Sequence, residues 1–156
     1  MMILDFDDEQ ARLIDAMYAT PDVVAQRQFV LGLTDPKPGE RVLDIGSGPG
    51  YLASEMGAAV GPNGTVHGVD ASAAMNAIAA RRCAEMPWVQ IDDGDVLDLP
   101  FPDDEFDVAV STQVYEYVAD LPSAALQAGR TVVFTFYWLD SQAWEGTDFE
   151  VTINSE

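Results

Sequence analysis

The sequence predicts an α/β fold, a doubly wound and mainly parallel sheet with helices on both faces. Three observations carry that expectation. Short apolar runs recur from position 41 onward, separated by stretches of helical periodicity. The first run ends in a glycine-rich turn, Gly46-Ser47-Gly48-Pro49-Gly50, that leads into a helix. Strands separated by helices of crossover length form right-handed βαβ units, and so pair in parallel. A chain of 156 residues is one domain's worth, able to bury roughly two thirds of its unfolded surface in a single core.

The elements follow in order. Positions 1–36 read as an N-terminal helical lid, and 37–156 as the sheet-bearing domain. A helix is expected over 8–17, then a second one opened by Thr20 as N-cap, Pro21 at the first helical position and Asp22 in the first turn. Val23, Val24, Phe29, Val30 and Leu33 supply its apolar face, with Arg27 and Gln28 expected outward. Asp35-Pro36-Lys37-Pro38-Gly39 cannot continue a helix. Strand candidates lie at 41–45, 65–69, 88–91 and 106–111, with helices at 51–60 and from the Ser72 cap to about 85, where Pro87 stops the helix. Two short helices, 113–119 and 122–128, precede Gly129 as a C-cap. The run 131–138 (TVVFTFYW) is the strongest strand signal. Positions 148–154 alternate Phe149, Val151 and Ile153 on one face, and too few residues intervene for a crossover helix, so this strand should pair antiparallel.

Composition bounds the partners. The chain carries 27 acidic and 7 basic residues, a formal charge of −20, while 48% of its residues are hydrophobic. That is an ordinary core under a very negative surface. Sequence-independent nucleic-acid binding needs Lys and Arg against phosphate, and anionic membranes attract basic patches, so neither partner is expected. Eight acids crowd positions 92–107. Such like charges repel over a Debye length of roughly 8 Å, shortened in concentrated salt. A high-salt habitat is one explanation of the acidity, and an ordinary acidic protein is the other. Cys83 is the only cysteine, expected as a small buried residue on a helix. No apolar run reaches the length of a membrane span and MMILDFDDEQ lacks a signal peptide's positive region, so a cytoplasmic location is expected.

The chemistry concentrates around the glycine turn. Glycines at alternate positions allow close backbone approach by a ligand and a tight turn into the helix. The spacing is G-x-G-x-G, since the third position of the dinucleotide pattern G-x-G-x-x-G falls on Tyr51. Pro49 also removes an N–H that a pyrophosphate would use. Asp70, twenty residues after Gly50, ends the second strand, where a carboxylate can accept from a ribose diol. Asp95 could take an exocyclic amine while Val96 packs on the base, although acids here also serve as solvated surface. Asp44 can hold a ligand ammonium from the first strand's exit. His67, the only histidine, is expected to be structural.

These residues resemble the class I S-adenosylmethionine-dependent methyltransferases, especially the type 11 group that includes ubiquinone- and menaquinone-biosynthesis enzymes. The matching stretches are GERVLDIGSGPGYLA, TVHGVDASAAM, GDVLDLPFPDDEFDVAVS and TQVYEYVADLPSA, in the family's order. The resemblance implies a Rossmann-like fold and S-adenosylmethionine as cofactor. Its methionine part would lie on Gly46, Ser47, Gly48 and Gly50, its amino group on Asp44, and its ribose on Asp70 beside Ala71. The adenine would meet Asp95 and Val96, with Ser111 near the methyl group. Gln113 and Tyr115 are expected to line the pocket of a small-molecule methyl acceptor, with Tyr18 as a lid residue. Glu116 and Asp120 could deprotonate an acceptor or be solvated surface.

The likeness weakens after Ala124. The segment PSAALQAGR is shorter than the family's helix there and lacks its Pro-Gly-Gly turn. Relative to the full seven-stranded fold the C-terminal part reads as truncated, leaving a sheet face that a homodimer could cover. A compact active methyltransferase, a cofactor-binding module without catalysis and a fragment of a longer enzyme all fit this reading. An NAD(P)-dependent oxidoreductase is a remote alternative.

Overall fold

The computed structural model describes residues 6–96, 98–102 and 105–112, and beyond them the backbone of strands at 131–135, 137–138, 143–144 and 149–152. Helices α1 (Asp8–Tyr18) and α2 (Pro21–Thr34) come first. Then follow β1 (Arg41–Ile45), α3 (Tyr51–Val60), β2 (Thr65–Asp70), α4 (Ala73–Arg82), β3 (Val89–Asp93) and β4 (Val108–Thr112). The chain continues through β5 (Thr131–Thr135), β6 (Tyr137–Trp138), β7 (Ala143–Trp144) and β8 (Phe149–Thr152).

The main sheet has the order β3-β2-β1-β4-β5-β8. All its neighbours pair in parallel except β8, which runs antiparallel to β5 with Phe134 opposite Phe149, the expected direction. The chain moves outward from β1 to β3 and then returns to place β4 on the other side of β1. The order therefore reverses between β1 and β4, and the carboxyl ends of these two strands flank a crevice suited to a ligand. The register sets Ile45 opposite both Val69 and Ser111, so three strand ends converge there.

The core explains the pattern of these strands. Val42, Leu43 and Ile45 are fully enclosed, a continuous apolar run broken only by Asp44. Val42, Val66 and Val110 pack with Leu52, Met56 and Val60, which seats α3 on one face of the sheet. His67 points to the other face from Val66. There it lies edge-on to Phe101 and Phe106 and bonds Asp92 through Nδ1 at 2.8 Å, a structural setting as expected.

Several expectations are corrected. Thr20 occupies the N-cap of α2 but its hydroxyl donates back to the Met17 carbonyl, so Pro21 and Asp22 alone favour the helix start. Arg27 is not outward: it is 8% exposed, while Phe29 and Leu33 of the supposed inner face are 53% and 46% exposed. Val30 is buried and Gln28 exposed as expected, and Arg27 joins the inner face because it finds a partner on α3, described below. Helix α4 ends at Arg82, three residues before the expected stop, since Cys83 already takes the cap position. The apolar run 131–138 is divided: β5 joins the main sheet and β6 pairs with β7 in a separate two-stranded sheet. The helices expected at 113–119 and 122–128 lie outside the described residues. Among the described residues no helix is long and apolar enough to cross a membrane.

Candidate functional site

The turn after β1 is built by three left-handed glycines. Gly46, Gly48 and Gly50 have φ of 73°, 52° and 78°, a region that costs other L-residues about 1–2 kcal/mol. Gly50 has a second reason to lack a side chain, because a Cβ there would sit 2.6 Å from the Ala79 Cβ of α4. At Gly48 a Cβ would meet nothing within 4 Å, so the turn is open on that side. Gly68 on β2, which the sequence reading passed over, lets the turn lie against the sheet: its Cβ would be 3.0 Å from both Ser47 side-chain atoms. Only the three-dimensional approach of β2 to the turn reveals it.

Every N–H of this turn is used within the protein. Gly46 and Ser47 both donate to the Val69 carbonyl, at 2.7 and 3.0 Å, and Gly50 donates to the Ser47 carbonyl at 3.0 Å. Gly48 donates to Asp70 Oδ2 at 2.9 Å, and Pro49 has no N–H. A pyrophosphate needs such donors free. The turn therefore suits a ligand that meets it through van der Waals contact, and the dinucleotide reading loses its physical basis.

Two carboxylates flank the turn. Asp70 is fixed on both oxygens, Oδ2 by Gly48 and Oδ1 by the Ser72 amide at 2.9 Å, with Asn76 donating to its backbone carbonyl. Burial raises its pKa, opposed by those two amides. Asp44 is 1% exposed. Burial foremost, then the charge of Asp70, push its carboxyl up to about 7, against a hydrogen bond from the Ala53 backbone. Its Oδ2 is buried without a partner, as is the Ser47 hydroxyl. A buried polar atom left unmatched costs about 1–3 kcal/mol, the kind of cost that persists where a ligand group completes the site.

Asp44, Gly46 and Ser47 form the floor of a pocket that is partly open to solvent. Thr112 at the end of β4 and Leu52 of α3 add walls, and Tyr18, Val23, Gln26, Arg27 and Val30 of the N-terminal helices form its roof. Tyr18 thus lines the pocket. Its ring stacks on Tyr51 with centroids 6.3 Å apart. Arg27 is held by Glu55 at 2.9 Å and by the Tyr18 carbonyl at 3.0 Å.

The remaining candidates divide. Ser111 is buried and donates to the Ile45 carbonyl at 3.0 Å, tying β4 to β1 beside the pocket without lining it; its neighbour Thr112 does that. Asp95 is exposed and Val96 half-buried, with the Asp95 carbonyl closing a small bridge to Asp98. Ala71 is exposed next to Asp70. Gln113 and Tyr115 lie outside the described residues. Gln26 and Arg27 were missed, and the only signal was their break in the apolar stripe of α2.

Comparison with known proteins agrees with this geometry. Residues 42–133, more than half of the chain, match the family described as methyltransferase domain. A 37.1 kDa protein in transposon Tn4556 of Streptomyces fradiae, itself uncharacterised, is 34% identical over 125 residues, covering 80% of this chain and 36% of that protein. The 2-phytyl-1,4-naphtoquinone methyltransferase of Synechococcus elongatus is 40% identical over 99 residues, 62% of this chain and 42% of the enzyme. The chain thus spans about two fifths of these relatives' lengths. The crystal structure of a SAM-dependent methyltransferase from Aquifex aeolicus shares the fold with a TM-score of 0.69 at 19% identity, covering 83% of this chain and 72% of that one. With its glycine turn, its paired carboxylates and more than half of its length inside the family's pattern, the protein belongs to the methyltransferase domain family.

Proposed function

We propose that this chain binds S-adenosylmethionine and transfers its methyl group to a small-molecule acceptor. The observation that carries the reading is Asp44, a buried carboxylate with one partnerless oxygen in the floor of the pocket between β1 and β4. An ammonium group satisfies that oxygen and matches the negative charge of the charged form. The other residues fit the same cofactor. Asp70, held rigid by two backbone amides, has lone pairs left for a ribose diol. The open side of Gly48 and the alternate glycines admit an aliphatic chain at contact distance. Ala71, Asp95 and Val96 follow the ends of β2 and β3, the side on which the base would extend.

When bound, the cofactor supplies an electrophilic methyl group on a cationic sulfur. The protein's part is alignment and exclusion of water, since displacement in line gains most from proximity. Tyr18, Val23, Val30 and Leu52 give the roof and wall an apolar character that suits an apolar acceptor. Relatives named for 2-phytyl-1,4-naphtoquinone and for demethylmenaquinone methylation support that class. Gln113 and Tyr115 are proposed at the acceptor's edge from their place after β4. Residues 1–36 serve as lid, and a second copy of the chain is proposed to cover the shortened edge of the sheet. Calorimetric titration with S-adenosylmethionine and S-adenosylhomocysteine, in low and molar salt, tests the cofactor. Heat and thermal stabilisation with both are expected, and their absence on folded protein removes the reading. Transfer of a labelled methyl group to quinols then separates an enzyme from a binding module.

A further inference from the structure

We infer that Arg82 is a positioning residue: through Tyr51 it fastens the two N-terminal helices to the glycine turn and so sets the roof of the pocket. What that roof encloses rests on the methyl-donor reading above. Arg82 ends α4 and does not itself line the pocket. Its guanidinium nevertheless joins three separate pieces of chain. It donates to the Pro49 carbonyl inside the turn, and to Asp15 Oδ1 on α1 at 3.0 Å. Its Cζ lies 3.5 Å from the centroid of the Tyr51 ring, where α3 begins.

The same ring collects the rest of the cap. Arg27 of α2 stands 4.6 Å from its centroid, and Tyr18 of α1 stacks on it. The Tyr51 hydroxyl donates to the Asp15 carbonyl at 3.5 Å. Two of the chain's six arginines are therefore spent on one tyrosine, in a protein with 27 acids competing for them. Guanidinium–aromatic contacts gain when partly withdrawn from water, and Arg82 and Asp15 are only 21% and 31% exposed.

The contact with Pro49 is what couples cap to turn. The peptide between Pro49 and Gly50 is held at both ends, its N–H by the Ser47 carbonyl and its C=O by Arg82. Rotation about the Pro49 ψ and the left-handed Gly50 φ would otherwise let that plane turn. One guanidinium thus fixes the conformation of the floor and the seat of Tyr18 and Arg27 in the roof. A ligand that touches both surfaces draws on a single linked arrangement.

Three variants test this. Arg82→Met keeps the length of the side chain and removes the donors and the charge. Arg82→Lys keeps the charge without the planar fork. Asp15→Asn weakens only the arm to α1, on a helix outside the sheet core. Hydrogen exchange on the ligand-free proteins should show the amides of α1, α2 and residues 46–50 opening together in Arg82→Met, while β1 and β2 stay protected. Affinity for S-adenosylhomocysteine should fall about tenfold in Arg82→Met, recover in part in Arg82→Lys, and fall about threefold in Asp15→Asn with its melting temperature unchanged. Exchange confined to the cap, or an affinity within twofold of wild type in Arg82→Met, overturns the inference. If Arg82→Met does not fold, Asp15→Asn decides, and an unchanged affinity there overturns it equally. Failure of the wild-type protein to bind refutes the methyl-donor reading instead, and the exchange experiment still judges the latch.

Discussion

Raising the pH should destabilise the ligand-free protein chiefly through Asp44, with the raised carboxyl of Asp70 acting in the same direction. Its carboxyl titrates near 3.8 when unfolded and is pushed up to about 7 in the fold, by burial first and by the charge of Asp70 second. Between those values the folded state keeps a proton that the unfolded chain has released, so stability falls as pH rises and levels off above about 7. Three units at 1.36 kcal/mol each amount to about 4 kcal/mol in all. From pH 5 to pH 8 the loss is about 2–3 kcal/mol, since part of it has already accrued below pH 5. Asp44→Asn removes the titration, at a constant cost of about 1–3 kcal/mol for the amide donors it brings into the site. Thermal melts of both proteins at these two pH values read the difference. Relative to wild type the variant should gain about 5–10 °C between them, at the usual 2–4 °C per kcal/mol for a chain this long. Parallel curves would refute the reasoning. Binding adds a second check: S-adenosylhomocysteine, whose ammonium needs the charged carboxylate, should bind more tightly as pH rises through about 7. Adenosine, which lacks that ammonium, should not.

Other outcomes follow from the same geometry. Asp70→Ala should weaken S-adenosylhomocysteine binding by about 1–3 kcal/mol, and a silent substitution would contradict the ribose assignment. Gly50→Ala combines a left-handed φ of 78° with a 2.6 Å approach to Ala79, so it should cost about 2–5 kcal/mol in denaturant unfolding. Gly48→Ala, with a positive φ but open space, should cost only about 1–2 kcal/mol, and equal losses would show the packing argument to be wrong. With a charge of −20, the melting temperature should rise in molar KCl as repulsion is screened. An unchanged or lower value would remove the high-salt explanation of the acidity.

Local rules made much of the molecule legible. The strand, glycine turn and helix at 41–60 could be read because each residue there answers to its immediate neighbours: apolar side chains in a buried parallel strand, glycines where φ must be positive, an abrupt helix start. Asp44 and Asp70 were readable for the same reason, as strand-end positions beside that turn. The antiparallel direction of β8 was expected from the short stretch between the runs 131–138 and 148–154. The family followed from several such local patterns in order. Tertiary structure decided the rest. Arg27 was expected outward because the α2 stripe is ambiguous in isolation, and its burial depends on Glu55, 28 positions away. Arg82 meets Asp15 across 67 positions and Pro49 across 33, contacts that no periodicity encodes. The division of the run 131–138 likewise depends on which partner strand each half finds, not on its own composition. The sequence by itself determined the floor of the site, where backbone conformation is dictated residue by residue. The roof was decided only when packing brought α1, α2 and α4 together, because a contact between distant segments takes its energy from the approach that the whole fold creates.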